Sequence, residues 1–225
     1  YAAWAARKLV LPLELLHIID RHQEISASTD HSGAIGVDAQ ENLLNQLTEE
    51  EGTRARQVRD RGRVFLNGLR QRCEVDETLS VDTRQRYGQL LSTLEEQQQD
   101  VALYVLGRRG ESAAHTRRDL GRHVEMISRQ VRRPILTVAG EFIEPRSALI
   151  AYDGKRMTRR CVELIAKNPA LNDIPVHVIM SGKRAADADK HLQWAKNTLN
   201  AAGFTVETAY LPGDPEQEIT RAIGE

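Results

Sequence analysis

The sequence has few of the residues that mark a disulfide framework or a membrane protein. Only two of its 225 residues are cysteines, Cys73 and Cys161, and neither has a Cys-x-x-Cys neighbour. Two isolated cysteines give no disulfide framework and indicate a reducing compartment. No apolar run approaches the roughly 20 residues that span a bilayer, and no signal peptide is visible. We therefore expect a cytoplasmic protein that makes no membrane contact.

An excess of charge of one sign is also missing. The chain has 31 lysines and arginines against 32 aspartates and glutamates, which gives a formal net charge of −1. A protein that binds nucleic acid through its whole surface needs a basic excess. We therefore expect no nucleic-acid partner.

Aromatic residues make up only 4% of the chain, and Trp4 and Trp194 fit helix–sheet packing better than a binding platform.

What the sequence does contain is a repeated pattern. Segment 79–83 lies five residues before Gly88, and segment 204–208 lies five residues before Gly213, at a constant offset of 125 residues. Apolar and polar residues fall in step between the two segments, which is typical of a duplicated α/β unit. A period of this length corresponds to a whole domain.

A second pair of segments, 15–19 and 175–179, aligns His17 with His177. We expect these two histidines to occupy equivalent positions in the repeats and to pack within or at the end of strands. The other histidines are scattered without cysteine or carboxylate partners at ligand spacing. The sequence therefore predicts no metal site.

Segments typical of strands alternate with segments typical of helices along the chain, which predicts parallel sheets with helices on both faces. We predict an α/β fold of two tandem Rossmann-like domains, 1–140 and 141–225, each a parallel five-stranded sheet in its complete form. The first strand of domain 1 and the last strands of domain 2 are expected outside the given chain. The charged stretch 40–72 is predicted to form an amphipathic helix on a sheet, with a coiled-coil arm as the alternative.

A glycine-containing loop is the first candidate for ligand binding, because ligands of open α/β sheets bind beyond the carboxyl ends of the strands. Predicted strand 101–106 leads into Gly107-x-x-Gly110, and Gly121 opens a helix after a spacer of 10 residues. Exposed backbone amides and a helix N-terminus favour an anion such as phosphate. Nearby arginines at 108, 109, 117, 118 and 122 add positive charge. The alternative is a tight turn with solvated arginines, and spacing alone leaves both open.

Asp153, at the end of a predicted strand, is the second candidate. Its carboxylate could accept hydrogen bonds from an adenine or a ribose, or it could cap the helix that follows. The third candidate is extended backbone at the strand ends 17–20 and 177–179, which could bond the edge of a base.

The order and duplication of these motifs resemble the universal stress protein family in its tandem, two-domain form. The resemblance covers essentially the whole chain and rests on five motifs: Leu-His-Ile-Ile-Asp at 16–20, Gly107-Arg-Arg-Gly110 with Gly121, Pro134-Ile-Leu-Thr-Val138, Ala151-Tyr-Asp-Gly154 and Gly213-Asp214-Pro215.

The resemblance implies nucleotide-binding positions, because the ATP-binding branch of the family holds adenine and phosphates at matching motifs. Asp153 and Val178 would form the adenine side of the second site, and Ile18 that of the first. The phosphate loop of the first site would comprise Gly107, Arg108, Arg109, Gly110, Gly121 and Arg122. The loop departs from the family pattern, since its spacer is one residue longer and Arg122 replaces the expected serine or threonine.

The resulting functional prediction is a stress-response protein that binds ATP or another adenine nucleotide as a regulatory ligand. We predict no enzyme, because no nucleophile and base can be paired from these residues. One alternative is an interaction scaffold with degenerate sites that binds partners through the 40–72 helix, and another is an adenine-nucleotide hydrolase. We also expect the two domains to mimic a dimer within one chain, and a homodimer is a further expectation.

Overall fold

The computed structural model describes residues 1–19, 37–74, 78–108, 122–183 and 186–224, without the side chains of residues 37–51, 122 and 169. The chain divides into two units, Tyr1–Glu141 and Phe142–Glu225. Both units are built from parallel strands with helices between them. The predicted α/β class is therefore confirmed.

Unit 1 contains two pairs of parallel strands. Its elements are α1 (Ala2–Leu9), β1 (Leu13–Ile19), α2 (Val37–Cys73), β2 (Val81–Tyr87), α3 (Leu90–Gln97), β3 (Tyr104–Gly107), α4 (Arg122–Gln130) and β4 (Ile135–Val138). Strand β1 pairs with β2, and β3 pairs with β4. Among the described residues no ladder joins the two pairs, so a single five-stranded sheet in this unit would need another strand between them.

The two faces of β1 pack against different clusters. Leu13 and Leu15 pack on one face with Ala6 of α1 and Val81 of β2. Leu16, on the opposite face, packs against a cluster formed by α3, β3 and α4. Successive strand residues point to opposite faces, so this single strand separates two apolar clusters.

Helix α2 passes very close to the β1–β2 sheet at Gly62. A Cβ atom at this position would lie 2.1 Å from Gln85 Nε2 and 2.7 Å from His17 Nδ1. Gln85 Nε2 lies 3.2 Å from His17 Nδ1 and donates a hydrogen bond to the Arg59 carbonyl at 3.3 Å. The missing side chain of Gly62 lets the helix approach to this distance. This part of α2 therefore lies on the sheet, as the sequence predicts.

Unit 2 contains one three-stranded parallel sheet. Its elements are β5 (Ala148–Ala151), α5 (Arg156–Ala166), a 3₁₀ turn (Pro169–Leu171), β6 (Val176–Gly182), α6 (Ala188–Ala201), β7 (Val206–Pro212) and α7 (Pro215–Gly224). The strand order is β5-β6-β7, so β6 is the central strand and β5 forms an edge.

The core of unit 2 forms between β6 and α6. Alternate residues of β6, namely Val176, Val178 and Met180, are buried on one face of the sheet. Helix α6 covers them with a stripe at helical spacing: Ala188, Leu192, Ala195 and Leu199. Full burial of a valine, leucine or methionine side chain contributes about 1.5–3 kcal/mol, so this layer is the main apolar contribution to the stability of the unit.

Strands β2 and β7 are related by the offset of 125 residues that the sequence shows. Both are seven residues long, and their successive residues have the same sequence of buried, half-buried and exposed positions. The glycines that follow them, Gly88 and Gly213, both have φ of +144°. The two strands are thus locally equivalent.

The predicted equivalence of His17 and His177 is wrong. Leu13 pairs with Val81, and Val176 pairs with Val206, so the equivalent positions of β1 and β6 are 163 residues apart and His17 corresponds to Met180. The predicted alignment of His17 with His177 assumes an offset of 160, which differs from 163 by three residues. A shift by an odd number of residues turns every side chain to the other face of the sheet. His17 accordingly faces α2, whereas His177 pairs with Glu207 at 3.3 Å and is 43% exposed.

None of the described helices is both long enough and apolar enough to cross a membrane.

Two glycines of α2 allow a matched test of the helix–sheet contact. Gly68 has no atom within 4 Å of a built Cβ, so Gly68→Ala should raise the free energy of unfolding by about 0.5–1 kcal/mol through helix propensity. Gly62→Ala should instead lower it by about 1–3 kcal/mol, because the methyl group displaces Gln85 or His17. Denaturant unfolding would be followed by Trp4 fluorescence in a Trp194→Phe background. An equal increase in the free energy of unfolding for both variants would contradict the close approach of α2 to the sheet at Gly62.

Candidate functional site

The carboxyl ends of the three strands of unit 2 lie at one edge of the sheet, where open α/β sheets bind ligands. Strand β5 leads into Tyr152 and Asp153, β6 ends at Gly182, and β7 leads into Gly213. The Tyr152 amide donates to the Ile179 carbonyl at 2.8 Å, so the sheet pairing continues to the residue before Asp153. The position of the Asp153 backbone is therefore set by the sheet.

Asp153 closes the turn between β5 and α5. Its Oδ1 accepts a hydrogen bond from Thr158 Oγ1 at 2.5 Å and another from the Lys155 amide at 2.9 Å. The bond from Thr158, followed by the bond from the Lys155 amide, holds the pKa of Asp153 below its usual value. The side chain is half exposed, and its Oδ2 lies 3.8 Å from Lys155 Nζ. Asp153 therefore stabilises the helix start, and it keeps an ionised oxygen at the surface.

Gly154 lets His191 of α6 pack directly against this turn. Its φ is +74°, and a Cβ atom there would lie 2.9 Å from the His191 ring. His191 Nε2 lies 2.8 Å from Asp187 Oδ2, and this hydrogen bond is the largest cause of the lowered pKa of Asp187. A hydrogen-bonded histidine–aspartate pair thus packs against the turn that carries Asp153. The spacing Asp187-x-x-x-His191 at a helix start is a signal that the sequence analysis did not use.

Aromatic and cationic side chains pack beside this turn. The rings of Tyr152 and Trp194 stack with centroids 6.3 Å apart and an interplanar angle of 17°. The Arg159 guanidinium lies 4.4 Å from the centre of the Trp194 ring, a cation–π arrangement. Tyr152 is only 3% exposed, so the stack belongs to the wall of the site more than to its open surface.

The ends of β6 and β7 are held by local hydrogen bonds. Tyr210 Oη donates to the Gly182 carbonyl. Asp214 Oδ1 accepts hydrogen bonds from the amides of Glu216 at 3.1 Å and Gln217 at 3.2 Å, which caps α7. Local hydrogen bonds are therefore present at the carboxyl ends of all three strands.

The predicted residues of the first site are only partly within the described chain. Gly107 ends β3, and the amide of Arg108 donates to the Val138 carbonyl at 2.7 Å, so that amide is used by the sheet. Ile18 is half-buried in β1, opposite Arg86 of β2. Arg109, Gly110 and Gly121 lie outside the described residues, and Arg122 is described only by its backbone at the start of α4.

The predicted adenine contact at Val178 is not supported by its position. Val178 is fully buried beneath α6, and its backbone pairs with Ile150 on one side and Thr208 on the other. Neither its side chain nor its backbone faces the site edge. By the ladder register, Ser181 is the residue of β6 that corresponds to Ile18.

Within the described ranges, no group of three or more histidine, cysteine, aspartate or glutamate side chains is arranged to hold a metal ion. At Asp153 the edge of unit 2 offers a ligand an ionised carboxylate oxygen 3.8 Å from the Lys155 ammonium group.

The chain is similar to known universal stress proteins. A universal stress protein of Synechocystis sp. is 33% identical over 224 residues, which is 98% of this chain and 78% of the relative. The crystal structure of a universal stress protein from Archaeoglobus fulgidus DSM 4304 matches with a TM-score of 0.66 at 15% identity, over 99% of this chain and 76% of that one. A putative universal stress protein from Pseudomonas aeruginosa UCBPP-PA14 matches at 17% identity with a TM-score of 0.46, over 94% and 78%. No family model matches the sequence.

The Asp153 turn makes a prediction about pH. Thr158→Val removes the largest cause of the lowered pKa, so the pKa of Asp153 should rise toward the usual value of about 3.9. A lowered pKa in the folded state stabilises the protein above the unfolded pKa, and this contribution is lost as the pH falls through the folded value. The variant should therefore be less stable than wild type at neutral pH, and the difference should narrow below about pH 4. A carboxyl NMR titration giving an unchanged Asp153 pKa would contradict this assignment.

A second prediction separates backbone strain from the His191 contact. Gly140 has φ of +72°, close to that of Gly154, but no atom lies within 4 Å of its built Cβ. Gly140→Ala should therefore lower the free energy of unfolding only by the strain of a left-handed residue, about 1–2 kcal/mol. Gly154→Ala should lower it by more, and it should also raise the pKa of Asp187 by displacing His191. The pKa of Asp187 is measured by NMR. An unchanged value in Gly154→Ala would contradict the packing of His191 against Gly154.

Proposed function

The chain belongs to the universal stress protein family, and we propose that it acts in the cytoplasm as a stress-response protein that binds ATP or another adenine nucleotide as a regulatory ligand. The observation that carries the nucleotide proposal is the ionised Asp153 carboxylate at the carboxyl edge of the unit 2 sheet. An aspartate is already ionised at neutral pH at its usual pKa, and the hydrogen bonds to Oδ1 lower the pKa of Asp153 further.

An ionised carboxylate accepts hydrogen bonds and donates none, so its ligand must present donors. The amino group of adenine and the hydroxyl groups of ribose are such donors. Asp153 Oδ1 is already engaged by Thr158 and Lys155, which leaves Oδ2 as the oxygen for a ligand. The nearby Lys155 ammonium group, 3.8 Å from Oδ2, would favour a ligand that also carries phosphate.

We propose the loop that follows Gly107 as the phosphate-binding loop of the first site. The Arg108 amide is bonded to Val138, so phosphate would be held by amides further along the loop and by its arginines. The charge of those arginines and the helix start at residue 122 both favour an anion. Ile18 lies on the neighbouring strand pair of the same unit and would contact the base.

We further propose that nucleotide binding is not followed by turnover, so that the nucleotide is a signal and not a substrate. Steady ATP hydrolysis that is lost in a Gly107→Trp variant would favour the hydrolase alternative instead. The pairing of the two domains as a dimer-like unit, and a homodimer, stay predictions.

One observation favours an interaction scaffold as the second candidate. Val64 and Phe65 of α2 are 73% and 59% exposed, although the same helix lies on the sheet at Gly62. Charge reversal along this helix that abolishes partner capture, with no effect of nucleotide, would support the scaffold.

The nucleotide proposal is tested by calorimetric titration of the intact protein with ATP. We expect binding to wild type, and at least about tenfold weaker binding to Asp153→Ala, because a hydrogen bond to a charged group contributes about 1.5–3 kcal/mol. Asp189→Ala, a matched carboxylate change in the first turn of α6, should bind like wild type. No heat even near millimolar ATP would exclude the ligand, and equal loss in both variants would exclude the role of Asp153. Mass spectrometry of the denatured protein would show whether a nucleotide copurifies.

A further inference from the structure

The outer face of α5 combines apolar and cationic side chains at the surface of unit 2. Val162 faces the core and is fully buried. On the other side of the helix Met157 is 69% exposed, Leu164 is 45% exposed and Cys161 is exposed. Their spacing of i, i+4 and i+7 aligns them on one stripe. This stripe of Met157, Cys161 and Leu164 is called the α5 stripe below.

A groove with an excess of positive charge runs beside the α5 stripe. It is open to solvent and has a volume of about 640 Å³, and its lining is Gly154, Arg156, Arg159, Arg160, Glu163, Leu164 and Lys167. Four cations therefore line it against one carboxylate, although the chain as a whole has a net charge of −1. The lining residues from Arg156 to Lys167 span about 17 Å along α5 at the helical rise of 1.5 Å per residue.

Part of the groove is pre-organised. Arg159 stacks over the Trp194 ring at 4.4 Å, and Trp194 stacks in turn on the buried Tyr152 ring. The Arg159 Nε atom is shielded from solvent by this packing. A side chain that is already ordered loses little conformational entropy when a partner binds.

We propose that the α5 face docks an acidic amphipathic helix of a partner protein. The length of the groove accommodates about three helical turns. A partner helix with apolar residues at the same spacing would cover the α5 stripe, and its flanking glutamates or aspartates would meet Arg156, Arg160 and Lys167. A small polyanion would satisfy the cations but would leave Met157 and Leu164 exposed, so the combined surface favours the helix. The proposal is independent of nucleotide binding.

The two cysteines provide an internal control for the test. Cys161 lies in the α5 stripe, whereas Cys73 ends α2 in unit 1. The probe is a synthetic amphipathic peptide of about 18 residues, with leucines at i, i+4 and i+7 flanked by glutamates. We expect it to slow alkylation of Cys161 at least fivefold and to leave the rate at Cys73 unchanged.

Charge variants test the electrostatic part of the proposal. Arg160→Glu should weaken peptide binding about tenfold, since it replaces an attraction by a repulsion, whereas Lys190→Glu, a matched change on α6, should alter it less than twofold. The triple variant Arg156→Glu, Arg160→Glu and Lys167→Glu should bind a lysine-flanked version of the peptide that wild type does not bind. These positions are exposed, and circular dichroism would verify that each variant is folded.

Four results would overturn the proposal. One is an alkylation rate at Cys161 that the glutamate peptide does not change. Another is that the lysine-flanked peptide protects Cys161 of the wild-type protein from alkylation as well as the glutamate peptide does, which would show non-specific apolar contact. The third is equal protection by inorganic polyphosphate, which would reassign the groove to a small polyanion. Displacement of the peptide by saturating ATP would likewise reassign the groove to the nucleotide site, whereas absence of ATP binding would leave this proposal intact.

Discussion

Parallel pairing of neighbouring strands is the constraint on which the rest of this structure depends. Parallel strands require a crossover connection, which is usually a helix, and here α2 joins β1 to β2 while α6 joins β6 to β7. Each crossover helix must then cover one face of the strands it joins. The same pairing brings the carboxyl ends of β5, β6 and β7 to one edge, and so places Asp153 at the edge where open α/β sheets commonly bind ligands.

Two glycines allow a helix to make close contact with its neighbours, each for a different physical reason. Gly62 lies within a helix, and its missing Cβ makes room for Gln85 and His17. Gly154 adopts a left-handed conformation, with φ of +74°, and also makes room for His191. The first contact sets how α2 lies on its sheet. The second connects the Asp153 turn to α6, and it couples the candidate site to the core of unit 2.

The two apolar layers of unit 2 serve different purposes. The layer under α6 is buried and stabilises the unit, since Val178 and Leu199 are fully buried. The α5 stripe has the same helical spacing but remains at the surface, beside a cluster of cations. Periodicity alone does not distinguish these cases, because both helices carry apolar residues three and four apart. Their different exposure is what separates a core layer from the docking surface that we propose.

The sequence by itself determined the fold class, the order of helices and strands and the equivalence of β2 and β7, because these depend on local alternation of apolar and polar residues and on turn glycines. It did not determine which residues of β1 and β6 correspond, since a short apolar strand looks acceptable in several registers and only the hydrogen-bonded ladder selects one. Val178, which the family resemblance implies as an adenine contact, is fully buried in the core between β6 and α6. The contacts of Asp153 with Thr158, and of Gly154 with His191, join residues whose neighbourhood is set by packing between elements, so only the tertiary structure decided them.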